Sequence, residues 1–529
     1  MNMRQAEANE GDSPRAQVHG HPRTFRQSLY AMLGLSTVVM MVAIDQTVVG
    51  TALPSIIADL KDYHLYAWVA TAYLLASLIT VPIFGGLGDR YGRKPLIVVA
   101  IVLFSAASAL CGMSASMFQL VVFRALQGVG GGMLVGTCFA SIPDLFPDPV
   151  VRLRWQVLFS SAFGVANAVG PSLGGWLSQH YGWRYAFYVN VPVGIASLYF
   201  TAAHLPHVRY PRSGKLALDW QGALLVALTL GGAQALVESL GHAGAVWRPL
   251  ALAGAVALAV ALLVRVERRA LQPLLPRAVL GDRAIVVLLL LSLLMGMAMF
   301  SLLLYVPLLL QVGFGMGAEQ AGITITPLVA CITIGTVLNT RIVTRLRNPN
   351  RLLYAGFALL AISCGSIAFA ATHVRHAALV GAMLAGGVGI GLVMPNLTVF
   401  AQQVAGKLHL GIATAMIQSA RMVGGMIGTA VSGAAIAALY RVDLAHAVAA
   451  ARIPPGPWDA LLRSPEPLLR GASMVPAAAP VVALARTSLR HAVSGTLFGM
   501  LVMMIGACAL VFALPLIRIK SFDDAKRAH

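Results

Sequence analysis

Three ionisable side chains stand deep inside otherwise apolar runs: Asp45, Arg124 and Arg421. A charge in hydrocarbon is costly, and marks a partner, a cavity or a proton path. Asp45 lies about sixteen residues, or ~24 Å at 1.5 Å each, into its run, and Arg124 about six residues into a run that enters from the other face. Both therefore fall in the same third of a bilayer and can pair. A lone carboxylate whose hold on a proton depends on solvent access and a nearby cation is the chemistry that proton coupling requires. An ion pair that only locks two helices together is the competing reading. Arg421 points to tolerance of an anionic substrate, and Glu238 and Glu319 are the next carboxylates a proton path could use.

A second constellation is the segment GGLGDRYGRK, with Gly85, Leu87, Asp89, Arg90, Gly92, Arg93 and Lys94 between two apolar runs, residues 66–85 and 95–116. Each run is long enough to cross a hydrocarbon core of roughly 30 Å. The segment reads as a charged hairpin at one membrane face. Its glycines allow a tight turn and its charges can bridge helix ends. An ordinary basic loop would explain the arginines and the lysine but not the spacing.

These residues need a membrane scaffold, and the composition supplies one. The chain of 529 residues is 58% hydrophobic and 11% charged, which excludes a soluble globular protein. Its net charge of +19 lies in loops, so nucleic acid is not implied. Cys111, Cys138, Cys331, Cys364 and Cys508 all fall in apolar runs without paired spacing, so neither a disulfide framework nor a metal site is expected. The polar first 28 residues read as a retained cytoplasmic tail.

Apolar runs predict fourteen spans, starting near residues 29, 66, 95, 118, 157, 184, 220, 247, 285, 319, 352, 377, 411 and 491. The seventh and eighth are parted only by a turn around His242 to Trp247. Arginine and lysine crowd alternate loops, as at Arg152 and Arg154, whereas the short loops between them hold Lys61, Arg184, Arg248 and Arg375. Both termini are thus expected inside the cell, facing anionic lipid headgroups. A long outer loop is expected over 441–490, where Pro454, Pro455, Pro457, Pro465 and Pro467 argue against a folded domain. LQGVGGGML from Leu126 echoes LAGGVGIGL from Leu384, and Leu53-Pro54 echoes Val306-Pro307. Six helices therefore recur after a two-helix insert, a pattern that places a substrate cavity between halves. The repeat sets Asp45 opposite Ala298 and Arg124 opposite Met383.

IDQTVVGTALP from Ile44, GGLGDRYGRK, LVVFRALQGVGGG from Leu120, GPSLGG from Gly170 and WRYAFYVNVPVG from Trp183 resemble, in order, the motifs of the fourteen-helix drug:proton antiporters of the major facilitator superfamily. LDWQGALL from Leu218, LYVPLLLQ from Leu304 and GIATAMIQSARMVGGMIG from Gly411 continue the resemblance over nearly the whole chain. It implies an all-α integral membrane protein of the major facilitator fold, with six-helix bundles over 29–204 and 285–517, two inserted helices over 220–267, and tails over 1–28 and 518–529. It also implies alternating access in which an inward proton drives export of amphipathic drugs across a bacterial inner membrane, without a cofactor and as a monomer. A periplasmic adaptor and an outer-membrane channel are candidate partners.

By the same resemblance Asp45 and Arg124 carry proton coupling, Gly85 to Lys94 form the gating hairpin, and Gly170, Pro171, Gly174 and Gly175 form the antiporter motif, with Pro171 bending its helix. Ala166 and Thr344 depart from the pattern, standing where relatives have a glycine and an acid. Cavity candidates are Trp68, Tyr73, Tyr305, Gln311, Gln418 and Arg421, since a drug pocket needs aromatic walls and few fixed polar groups. An exporter of one metabolite or siderophore would look nearly identical. A polytopic membrane enzyme is disfavoured because no HExxH or Walker pattern occurs.

Overall fold

In hydrocarbon every backbone amide must be satisfied within the chain, so long apolar runs become helices. The computed structural model describes residues 25–146, 149–206, 220–240, 247–267, 282–343, 346–373, 376–405, 410–451 and 479–515, with Ile453, Leu461 and Leu468. Among the described residues there are no strands and fourteen long helices. In the N-terminal half these are α1 (Phe25–Leu60), α2 (Tyr66–Tyr91), α3 (Arg93–Gly112), α4 (Met117–Leu145), α5 (Pro149–His180) and α6 (Asn190–His204). Then come α7 (Trp220–Leu240) and α8 (Trp247–Glu267). The C-terminal half holds α9 (Arg283–Leu308), α10 (Ala318–Ile342), α11 (Asn350–His373), α12 (His376–Ala405), α13 (Leu410–Ala450) and α14 (Ala479–Val511).

Each expected span overlaps one of these helices, but among the described residues 12 spans are apolar and long enough to cross a membrane, and α5 and α7 fall short. α5 packs along α1 on one side and α10 on the other, and it carries the polar residues Asn167, Ser172, Ser178 and Gln179. In α7 the apolar stretch contracts to Leu224–Ala233. This helix packs on α8, α2 and α13, while α8 has α7 as its main neighbour.

Three boundaries differ from expectation. α1 begins at Phe25, inside the expected tail. The charged hairpin is not a loop: α2 continues to Tyr91, α3 starts at Arg93, and Gly92 alone turns the chain with φ 85°. A left-handed residue suffices for that reversal, and glycine takes it without strain. The outer segment 441–490 also shrinks, because α13 runs on to Ala450 and α14 begins at Ala479. Alanine-rich sequence on both flanks propagates the helices past the membrane. Pro454, Pro455, Pro457, Pro465 and Pro467, Thr344, the turn at 241–246, and residues 1–24 and 516–529 lie outside the described residues.

Glycines reveal the repeat. Gly128 and Gly132 of α4 press against the backbone of Tyr73 and Ser77 in α2, and Gly130 against Phe104 in α3. Gly387 and Gly391 of α12 meet Leu328 and Ile332 of α10 in the same way, and Gly389 meets Leu360 of α11. A side chain at these positions would collide with the facing helix, so small residues set the spacing. Gly170 of α5 meets Thr47 of α1, as Gly425 of α13 meets Phe300 of α9. This register keeps Asp45 opposite Ala298 and Arg124 opposite Met383, and it places Arg421 opposite Ala166.

Candidate functional site

α1, α2, α3, α4 and α6 bring one polar cluster together inside the N-terminal half. Asp45 is wholly buried and Arg124 is 3% exposed. Arg124 Nη1 donates to Asp45 Oδ2 at 2.7 Å and to Gln127 Oε1 at 2.8 Å, while its Nε donates to the Val69 carbonyl at 3.2 Å. The guanidinium also lies over the Tyr73 ring, 4.5 Å from the centroid, which adds a cation–π contact. The other carboxylate oxygen, Oδ1, accepts from Gln127 Nε2 at 2.7 Å and from Asn190 Nδ2 at 3.0 Å. Asn190 Nδ2 further donates to Ser108 Oγ at 3.0 Å, and Ser108 to the Phe187 carbonyl at 2.9 Å.

The spacing of Arg124 and Gln127, one turn apart on α4, puts both on the face towards Asp45. The result is a carboxylate held by a guanidinium and two amides and closed off from solvent. Gln127, Asn190 and Ser108 received no role from the sequence. Their signal was available: each is a polar residue inside an apolar run, and Asn190 stands within WRYAFYVNVPVG. The same segment anchors the far end of α1, where Arg184 Nη1 and Trp183 Nε1 donate to Asp59 Oδ2 at 2.8 and 2.9 Å.

The antiporter-motif glycines are contact points. Gly170 and Gly174 bring α5 onto Thr47, Val48 and Thr51 of α1, whereas Gly175 faces Ala318 and the Pro171 carbonyl faces Gly322, both on α10. α5 therefore joins the halves. The seam continues through Ser172 and Thr326, whose hydroxyls are 2.6 Å apart, and through Gln179 Oε1, which accepts from the Glu319 amide at 3.0 Å. Glu319 stands at this seam, at the start of α10 and 4.0 Å from His180. In the hairpin segment Gly88 packs towards Arg93 and Thr137. Gly85, Leu87, Asp89 and Arg90 belong to α2, and Lys94 to α3, but the side chains of Asp89 and Arg90, like that of Glu238, lie outside the described residues.

The cavity candidates stand in different local surroundings. Tyr73 is buried against Arg124. Tyr305 is buried too, donating to the Thr429 carbonyl at 2.8 Å and stacking on Tyr66 with ring centres 5.6 Å apart. Gln311 sits in a π-helical turn, Leu309–Gly313, and its Nε2 donates to the Thr51 carbonyl at 2.8 Å. Tyr66 likewise donates to the Leu304 carbonyl at 2.8 Å. Tyr66 and Gln311 thus bridge the halves, and Tyr305 packs beside them. Trp68, Gln418 and Arg421 are half-buried.

Two helical halves in one repeat register, joined along glycine-lined seams around buried charge, define a multi-pass membrane transporter. Residues 35–429 match the Major Facilitator Superfamily, and the chain belongs to that family. It is 32% identical over 412 residues to the multidrug transporter protein MdtP of Bacillus subtilis, covering 76% of this chain and 74% of that protein. Multidrug resistance protein 3 of the same organism is 32% identical over 58% of this chain, and the match spans 60% of that relative's length. Among solved structures, a bacterial homolog of the human lysosomal transporter Spinster, inward-facing and unoccupied, superposes with a TM-score of 0.66 at 14% identity, over 94% of this chain and 100% of the other.

Proposed function

We propose that the protein exports amphipathic small molecules by proton antiport, with Asp45 as the proton carrier. The observation that carries this reading is a wholly buried carboxylate bonded to one cation and two amides on two other helices. Ionised, Asp45 holds α1 to Arg124 and Gln127 on α4 and to Asn190 on α6. Protonation removes the charge, weakens the grip of Arg124 and frees α1 to shift. α1 also bears Gly50 and Thr51, which touch Leu303 and Gln311 of the other half, so the proton state reaches the seam through one rigid rod. The multidrug relatives support the substrate class. In this reading both termini are cytoplasmic, and the Gly92 turn gates the inner face of a bacterial plasma membrane.

The test is substrate efflux from proteoliposomes under an imposed pH gradient. Asp45→Asn is expected to abolish uphill export while retaining downhill exchange and the fold. Concentration of substrate against its gradient at near-native rate by this variant would make the carboxylate structural.

A further inference from the structure

Resting on the export reading, we propose that Arg421 and Gln418 form an anion-binding subsite in the C-terminal half, which receives the carboxylate of an amphipathic substrate. The position of Arg421 is fixed by packing. The Ile417 carbonyl accepts from Ser292 at 2.8 Å, Gly296 of α9 abuts the Arg421 carbonyl, and Gly424, Gly425 and Gly428 seat α13 on Leu293, Phe300 and Met297. Gly296 lies about 20 Å into α9 at 1.5 Å per residue, so Arg421 stands deep in the span.

A guanidinium there stays charged, because it does not give up its proton in proteins. Yet among the described residues no hydrogen bond, ion pair or ring contact reaches it: its Nε is buried without a partner, as is Gln418 Oε1 one turn away. Nor do the helices of its own half offer a counter-ion. Between Arg283 and Trp458 the only acids are Glu319 and Asp443. Glu319 lies at the seam near His180, and Asp443 pairs with His491 at 3.3 Å, roughly 33 Å along α13 from Arg421. Asp282 is engaged in capping α9.

α13 is ringed by α2, α7, α9, α12 and α14. Residues 418–423 are all half-buried, while Arg421 Nε and Gln418 Oε1 are themselves closed off from solvent. An embedded, uncompensated cation fits a ligand that brings the missing charge. The planar fork of arginine matches a carboxylate with two parallel bonds, and the Gln418 amide offers a further polar contact. An apolar body attached to that carboxylate would lie along the surrounding aliphatic walls.

The test uses the purified full-length transporter in detergent and three probes of one shape: 1-naphthoate, 1-naphthamide and 1-naphthylmethylammonium, titrated by calorimetry. The native protein is expected to bind naphthoate about tenfold or more tighter than naphthamide. Arg421→Gln should bring the two within about twofold by weakening naphthoate alone, and Arg421→Lys, which keeps the charge but loses the fork, should lose part of the preference. Equal binding by the native protein, a preference for the ammonium probe, or full preference retained in Arg421→Gln would overturn the proposal. Should Arg421→Gln not fold, Arg421→Lys decides: an undiminished preference sinks the site. Naphthoate selectivity that persists while a pH gradient fails to drive efflux refutes proton coupling and leaves this subsite standing. Export of a neutral drug that depends on Asp45, without naphthoate selectivity, does the reverse.

Discussion

Arg124 and Arg421 are two arginines at comparable depth in two halves built on one plan, and their surroundings are opposite. Arg124 is bonded to Asp45, Gln127 and the Val69 carbonyl and rests on Tyr73. Arg421 has a buried Nε with no partner. The repeat shows that neither environment is inherited from the scaffold, since Asp45 faces Ala298, Arg124 faces Met383 and Arg421 faces Ala166 across the register, and all three counterparts are buried and apolar. The shared plan supplies the helix spacing, through glycines at matched positions. Charge was placed on it separately in each half. An internally compensated cluster suits a group that must switch its own charge, whereas an uncompensated one suits a group whose partner arrives and leaves.

The contrast breaks most readily in stability. Arg124→Ala strands the Asp45 carboxylate with two neutral amides, and removal of one partner of a buried pair costs about 3–5 kcal/mol. Arg421→Leu removes an unpaired charge from the span, so it should be neutral or stabilising by about 1 kcal/mol or more. Thermal unfolding of the two purified variants in the same detergent reads the difference directly. Equal destabilisation would mean that Arg421 has a structural partner and that the comparison is false.

A smaller but sharper effect is expected from rebuilding the pair in the other half. Ala298→Asp puts an acid into a site lined by apolar side chains and should cost about 2.5–3.5 kcal/mol, near the insertion penalty of an embedded charge. Adding Met383→Arg should return at least about 1 kcal/mol of that, because the repeat register sets the two positions face to face. The double-mutant cycle measures the coupling. No recovery would show that the halves share helix order but not the geometry between α1 and α4.

The sequence already displayed the spans, the repeat and the three embedded charges, since these are signals of composition and period. Much less of the site was legible. Gln127 and Asn190 carry no charge and leave the hydropathy of α4 and α6 almost unchanged, and Asn190 reaches Asp45 from 145 positions along the chain. Gly92 looked like one glycine in a charged hairpin of ten residues, because the charge and polarity of Asp89, Arg90 and Tyr91 masked the continuation of α2 to Tyr91. The aromatic cavity candidates show the other side of this. Tyr73 and Tyr305 have the right chemistry for a drug pocket, but each is occupied in this conformation by a contact that only the packing of distant helices reveals.

The smallest expected effect concerns a second ion pair on α1 itself. Asp59 and Arg184 meet at 2.8 Å, almost the distance between Asp45 and Arg124, yet their side chains are 49% and 42% exposed. Water screens the exposed pair and side-chain entropy opposes it, so it contributes roughly 0.2–1 kcal/mol. Asp59→Asn keeps an acceptor for the Trp183 indole and loses only the charge, so it should cost less than about 1 kcal/mol. Raising the salt to 1 M, where the Debye length falls to about 3 Å, should erase that cost at Asp59 and leave the cost of Arg124→Ala unchanged. If salt instead rescued Arg124→Ala, the Asp45 cluster would be open to ions, and the enclosure on which its proton chemistry depends would not exist.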